Sequence, residues 1–207
     1  MSRSKNPYSV HPGVAIVQKW IAELPEKTGR SLEQWLDLVK KSGPGDSKKC
    51  REWLKKEYGL GTNSAWWIAD RAEGKGVEDG DPQAYLKSAV KYVDDMFAGA
   101  RASLRPLYDK LLDLGLKLAK DVKACPCLTI VPLYRHHVFA QIKPTTNNRV
   151  DFGLALTHYK GKLPRRLVDT GGLAKKDRIT HRIEITDVKQ IDADVKKWLK
   201  TAYDLDK

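Results

Sequence analysis

The chain has 207 residues, 41% of them hydrophobic and 31% charged, enough apolar mass for one large domain or two small ones. No apolar run approaches the roughly 20 residues that span a bilayer, so a transmembrane helix is excluded and no membrane partner is expected. Lys and Arg number 38 against 26 Asp and Glu, a net charge of +12 that attracts polyanions over a distance and says nothing about fold.

The start, MSRSKNPYSVHPG, lacks the apolar block of a secretory signal. Cysteines number three, Cys50, Cys125 and Cys127. With no export signal, that low, odd count points to a reducing cytoplasm rather than a disulfide framework.

From Val14 the apolar pattern is helical. Val14, Val17, Trp20, Ile21 and Leu24 share one face at spacings of three and four. Gly29 stops that helix, and Ser31 with Gln34 predicts a capping box for the next. Leu32, Trp35, Leu36 and Val39 continue the apolar face. Asp46 is a good N-cap for a third helix carrying Trp53, Leu54 and Tyr58. A fourth, with Ala65, Trp66, Ile68 and Ala69, ends near Gly74. Residues 1–76 are thus expected to form a small helical module. The Gly- and Asp-rich segment EGKGVEDGDPQ marks a boundary, with a linker over 77–84.

The third and fourth helices, WLKKEYGLGTNSAWWIADRAEG, have the spacing of a helix-turn-helix, with Gly59 in the turn. The readout face is weak. Thr62, Asn63 and Ser64 could touch phosphates, but Asp70 and Glu73 would repel them. The favoured reading is a compact module whose tryptophans are core. An exposed Trp66 or Trp67 would instead suit a protein partner.

Residues 85–207 read as an α+β domain. Leu86, Val90, Val93 and Phe97 line one helix, and Leu104, Leu107, Tyr108, Leu111 and Leu112 a second. Then the period changes to that of strands in LTIVPLYR, HVFAQIKP and VDFGLALT, with the turn TTNNR between the last two. RLVDTGG and RITHRIEI give two more. In RITHRIEI, Ile179, His181, Ile183 and Ile185 alternate with Thr180, Arg182 and Glu184, the pattern of a half-solvated antiparallel strand. Short turns between successive strands imply a meander. A final helix carries Ile191, Val195, Trp198, Leu199 and Ala202.

Residues 1–80 carry 14 basic and 11 acidic side chains and residues 81–207 carry 24 and 15, so the excess rises from +3 to +9. A charged binding surface is therefore expected in the second domain. Its candidates are Arg135, Arg149, Arg165, Arg166, Lys175, Lys176, Arg178 and Arg182. With Tyr134 and Tyr159 on one face they would make a sequence-tolerant platform for DNA or RNA. The DTGGLAKKDR loop could turn glycine N–H groups toward an anion, although it lacks the nucleotide-loop pattern, and a solvated hairpin is the favoured reading.

Cys125 and Cys127 with His136 and His137 are a weak candidate metal set, because C-x-C is not the usual zinc spacing. Asp151, Asp169 and Glu184 could form a nuclease-like carboxylate cluster, but no spacing demands it. No catalytic motif stands out, and no cofactor is expected. The leading expectation is a non-enzymatic protein binding nucleic acid or another polyanion. A protein–protein adaptor and a metal-dependent enzyme are the alternatives.

Two stretches carry a resemblance. HPGVAIVQKWIAELPEKTGRSLEQWLDLVKK with EWLKKEYGLGTNSAWWIADRAEGKG resembles a bacterial helical domain of unknown function. DVKACPCLTIVPLYRHHVFAQIKPTT, the DTGG segment, RITHRIEIT and IDADVKKWLKTAYDLD together resemble a second such domain. The resemblance covers nearly the whole chain, implies a cytoplasmic bacterial protein, and brings no catalytic residue with it. The strand-and-helix layout is also similar to that of frataxin-like iron chaperones, whose acidic ridge has no counterpart in this sequence.

Overall fold

The computed structural model describes residues 6–207. The opening MSRSK, and with it the first residues of the module expected over 1–76, lies outside the described residues. The chain divides into two compact units, Val10–Ser88 on one side and residues 6–9 with Ala89–Lys207 on the other.

The first unit holds α1 (Pro12–Thr28), α2 (Leu32–Ser42), α3 (Ser47–Tyr58) and α4 (Thr62–Ala72). Local chemistry sets each boundary. The Ser31 hydroxyl accepts from Gln34 N while the Gln34 side chain accepts from Ser31 N, the expected capping box. Asp46 caps α3 through Lys49 N. Gly59 ends α3 at φ 65°, a left-handed conformation that costs a side chain about 1 kcal/mol or more. Leu24, Trp35, Leu54, Ala65 and Ile68 form the core at 1% exposure or less. Trp35 Nε1 donates to Thr28 Oγ1 at 2.9 Å, so this buried indole leaves no orphaned donor. The segment expected as a linker holds a 3-10 turn, Val77–Asp79, and the start of α5 (Pro82–Met96).

The second unit contains α6 (Arg105–Leu116), a sheet, and the closing α7 (Ala193–Leu205). Tyr8 and Ser9 also belong to it. Ser9 N donates to Ala124 O, and the Tyr8 and Tyr108 hydroxyls lie 2.9 Å apart. The strands are β1 (Lys123–Ala124), β2 (Val131–Tyr134), β3 (Val138–Pro144), β4 (Val150–Leu154), β5 (Val168–Asp169) and β6 (His181–Ile185). The class is α+β, and the pairings are antiparallel.

The order β1-β2-β3-β4-β6-β5 departs from a simple meander. After β4 the chain passes over the place beside it, forms the short edge strand β5, and returns as β6 against β4. The burial pattern gives the reason. β5 is a two-residue strand reading half-buried then exposed, whereas Ile183 and Ile185 of β6 are fully buried. The more apolar strand takes the interior place, where each such side chain contributes about 1.5–3 kcal/mol.

The register puts Val131, Leu133, Ile142, Phe152, Leu154, Ile183 and Ile185 on one face. This face packs into one core with Tyr108, Leu111, Val195, Trp198 and Leu199. The other face carries Gln141, Lys143, Asp151, Gly153, Arg182 and Glu184. Among the described residues, no helix is long and apolar enough to cross a membrane.

Candidate anion-binding site

The open face of the sheet is built in rows. Lys143, Asp151 and Glu184 are cross-strand neighbours, and Gln141, Gly153 and Arg182 form the next row. Two carboxylates directly opposite each other repel. Here arginines bridge them. Arg149 Nε lies 2.9 Å from Asp151 Oδ1, and its Nη1 lies 3.2 Å from Glu184. Arg182 Nη2 donates to Glu184 at 3.0 Å and its Nε lies 3.5 Å from Asp151 Oδ2. Thr145 Oγ1 donates to Asp151 Oδ2 at 2.7 Å. Asp151 is 8% exposed, so its charge is stabilised by these partners rather than by water. The Arg149 Nε to Asp151 Oδ1 contact is an ion pair without hydrogen-bond alignment.

The loop after β5 crosses this face. Gly171 has φ 68°, and a Cβ on Gly172 would stand 2.3 Å from Ile179 O, so both glycines serve the loop's own path. Its backbone does not form an anion nest. Gly171 N donates to Asp169 Oδ1, Gly172 N to Thr170 Oγ1, and Asp177 N to Gly172 O. The solvated-hairpin reading matches this geometry, and the glycine N–H groups are occupied. The loop forms a ridge between two small clefts. One, of about 250 Å³, lies over the sheet and is bordered by Lys143, Lys175 and Arg182. The other, of about 280 Å³, is bordered by His158, Lys176, Arg178 and the end of α7.

Arg178 and Arg135 act as ties. Asp206, with a side chain 1% exposed, accepts from His136 N, His137 N, the His137 ring and Arg178 Nη2. Burial alone would raise its carboxyl. The His137 backbone and ring and the Arg178 charge outweigh burial and hold it below the usual value. Arg135 donates to the Tyr203 and Asp206 carbonyls, pairs with Asp121 and lies over the Tyr203 ring.

The loop between β4 and β5 differs. Between Asp151 and Asp169 the chain holds Lys160, Lys162, Arg165 and Arg166 and no carboxylate. Arg166 pairs with Asp192 and Asp194. Lys160, Lys162 and Arg165 are exposed and have no ion pair among the described residues. Tyr159 anchors the loop edge-on against Trp198 at 5.3 Å, and Lys197 Nζ lies 5.4 Å from the same ring.

Of the eight basic candidates, Arg135, Arg149, Arg166, Arg178 and Arg182 are therefore held by carboxylates. Arg165, Lys175 and Lys176 are exposed and unpaired. Lys143, Lys160, Lys162 and Lys197 were missed by reading residues singly. The acid-free run between Asp151 and Asp169 was the available signal for Lys160 and Lys162. Of the two tyrosines placed on a shared platform, Tyr159 packs on α7, while Tyr134 lies at the end of β2.

The metal candidates do not converge. Cys125 N bonds Pro132 O and Cys127 N bonds Ile130 O, at the β1–β2 end of β2. His136 and His137 follow its other end, and His137 is held by Asp206. Burial pushes the Cys125 thiol up to about 12 and raises Cys127 as well, which disfavours the thiolate a metal needs. Asp151 and Glu184 do meet across strands but are bound by arginines, and Asp169 sits on the edge strand with its carboxylate on Gly171 N. Among the described residues, no group of three or more His, Cys, Asp or Glu could hold a metal ion.

In the helical unit, Trp66 is 47% exposed, with the Arg51 guanidinium 5.6 Å from its ring. Trp67 is half-buried edge-on against Trp20 at 4.7 Å. Arg51 also pairs with Asp70 at 2.8 Å.

Residues 93–206 match the family model of the domain of unknown function DUF5655. Residues 17–74 match that of the domain of unknown function DUF4287. No curated protein and no solved structure matches the chain.

Proposed function

The chain belongs to the DUF5655 family, and for this member we propose that the second unit binds the phosphate backbone of a nucleic acid through the loops that follow β4 and β5. One observation carries the reading: Lys160, Lys162 and Arg165 are exposed and unpaired on a loop without a carboxylate. Lys175 and Lys176 stand exposed on the next loop. Free, hydrated cations can exchange counterions for phosphates, whereas arginines already tied to carboxylates cannot do so without breaking those pairs. The paired arginines hold the scaffold in place. The loops supply charge without base-reading geometry, so the expected binding tolerates sequence. The test is fluorescence anisotropy of labelled single- and double-stranded oligonucleotides of unrelated sequence with the full chain at low salt. Comparable affinity across sequences supports the reading, and absence of binding to either form refutes it.

A second reading rests on Trp66. An aromatic ring 47% exposed beneath a guanidinium is the kind of anchor found at protein interfaces. A Trp66→Ala variant that retains every partner captured by the wild type would remove that reading.

A further inference from the structure

We infer that the cleft over the open face of the sheet is a separate site for one phosphate group of a small molecule. The argument is a balance of donors and acceptors. Among the described residues, Lys143 and Lys175 border the cleft with no ion pair, and the Gln141 side chain borders it with no hydrogen bond. Arg182 directs Nε and Nη2 to carboxylates and has Nη1 left over. The carboxylates in the lining are already engaged. Asp151 accepts from Thr145 and faces two arginines, and Asp177 accepts from Ile179 N. Donors are therefore in surplus, and the three lining cations outnumber the two carboxylates. Such a surface fits an acceptor-only ligand.

The donors come from β3, from β6 and from the overhanging loop. That spread suits a tetrahedral oxyanion better than a planar carboxylate. Gly153 lets the Gln141 and Ile179 side chains pack closely over the floor. A Cβ there would stand 2.8 Å from Gln141 Cγ and 2.7 Å from Ile179 Cγ2. The volume of about 250 Å³ lies below the roughly 300–1,000 Å³ of pockets that take drug-sized ligands, so the ligand is small.

The site shares only Lys175 with the loop surface and can stand or fall separately. The experiment is an amide NMR titration of the full chain at constant ionic strength. The probes are inorganic phosphate, phenyl phosphate and acetate, with chloride as the balancing salt. Saturable shifts at Gly153, Thr170 and Gly172 with either phosphate are expected, and the tighter of the two names the source. Lys143→Gln should weaken that binding roughly tenfold, the worth of one charge-assisted hydrogen bond. Gln141→Ala, which removes a neutral donor, provides a second variant and should weaken it less. A Lys160→Ala/Lys162→Ala/Arg165→Ala variant should leave it unchanged. Shifts that do not saturate, saturation with acetate alone, or equal affinity in Lys143→Gln would overturn the site.

Discussion

Asp206 shows how a single residue can tie several segments together. Its carboxylate joins α7 to the His136–His137 turn and to the loop carrying Arg178. Asp206→Ala would strand two backbone donors, and the expected loss is about 2–3 kcal/mol in urea unfolding, discounted because Arg178 and His137 are half-exposed. The pH dependence has a definite sign. The folded carboxyl lies below its ordinary value near 3.8, so its contribution is complete above about pH 4 and is lost as pH falls through the folded pKa. Wild-type stability should therefore fall more steeply below pH 4 than that of Asp206→Asn, and the two curves should converge. Parallel curves would show that Asp206 is not the linked group. None of this was legible in the sequence, because Asp206, His137 and Arg178 are far apart along the chain. The same distance hid the fate of Arg149 and Arg182. Ser31 and Gln34 were legible, because a capping box is complete within four residues.

Among elements, helices were easier to read than strand order. The alternation in RITHRIEI correctly placed Ile183 and Ile185 inward and Arg182 and Glu184 on the open face. It also assigned Thr180 to the solvated side, yet Thr180 is 2% exposed. Its hydroxyl accepts from Leu156 N at 3.2 Å and lies beside the His181 ring, so the polarity serves a buried backbone donor. Thr180→Val should cost about 1–3 kcal/mol by leaving Leu156 N–H unsatisfied, despite the matching shape. Period alone cannot show this, nor that β6 displaces β5 from the place beside β4. The two loop glycines make a sharper test. Gly171→Ala meets only an unfavourable φ, with nothing within 4 Å, and should cost about 1–2 kcal/mol. Gly172→Ala meets the Ile179 carbonyl at 2.3 Å, a backbone atom that cannot swing aside, and should cost more and displace the loop. Equal thermal shifts for the two would contradict this account of the hairpin.

At the scale of the molecule, the +9 excess in residues 81–207 points to the second unit but not to the residues that remain free. Five of the eight basic candidates belong to ion pairs with carboxylates, and only the folded register shows which. What remains exposed and unpaired includes Lys160, Lys162 and Arg165, with Lys176 on the next loop. The most direct measurement is oligonucleotide affinity across a salt series for the wild type and for a Lys160→Ala/Lys162→Ala/Arg165→Ala/Lys176→Ala variant. On duplex DNA each lost phosphate contact reduces the slope of log K against log salt by about 0.9. The account predicts weaker binding at low salt and a slope shallower by roughly 2–4 in the variant, with its urea unfolding unchanged. An unchanged affinity and slope would contradict it and would place any binding elsewhere on the chain.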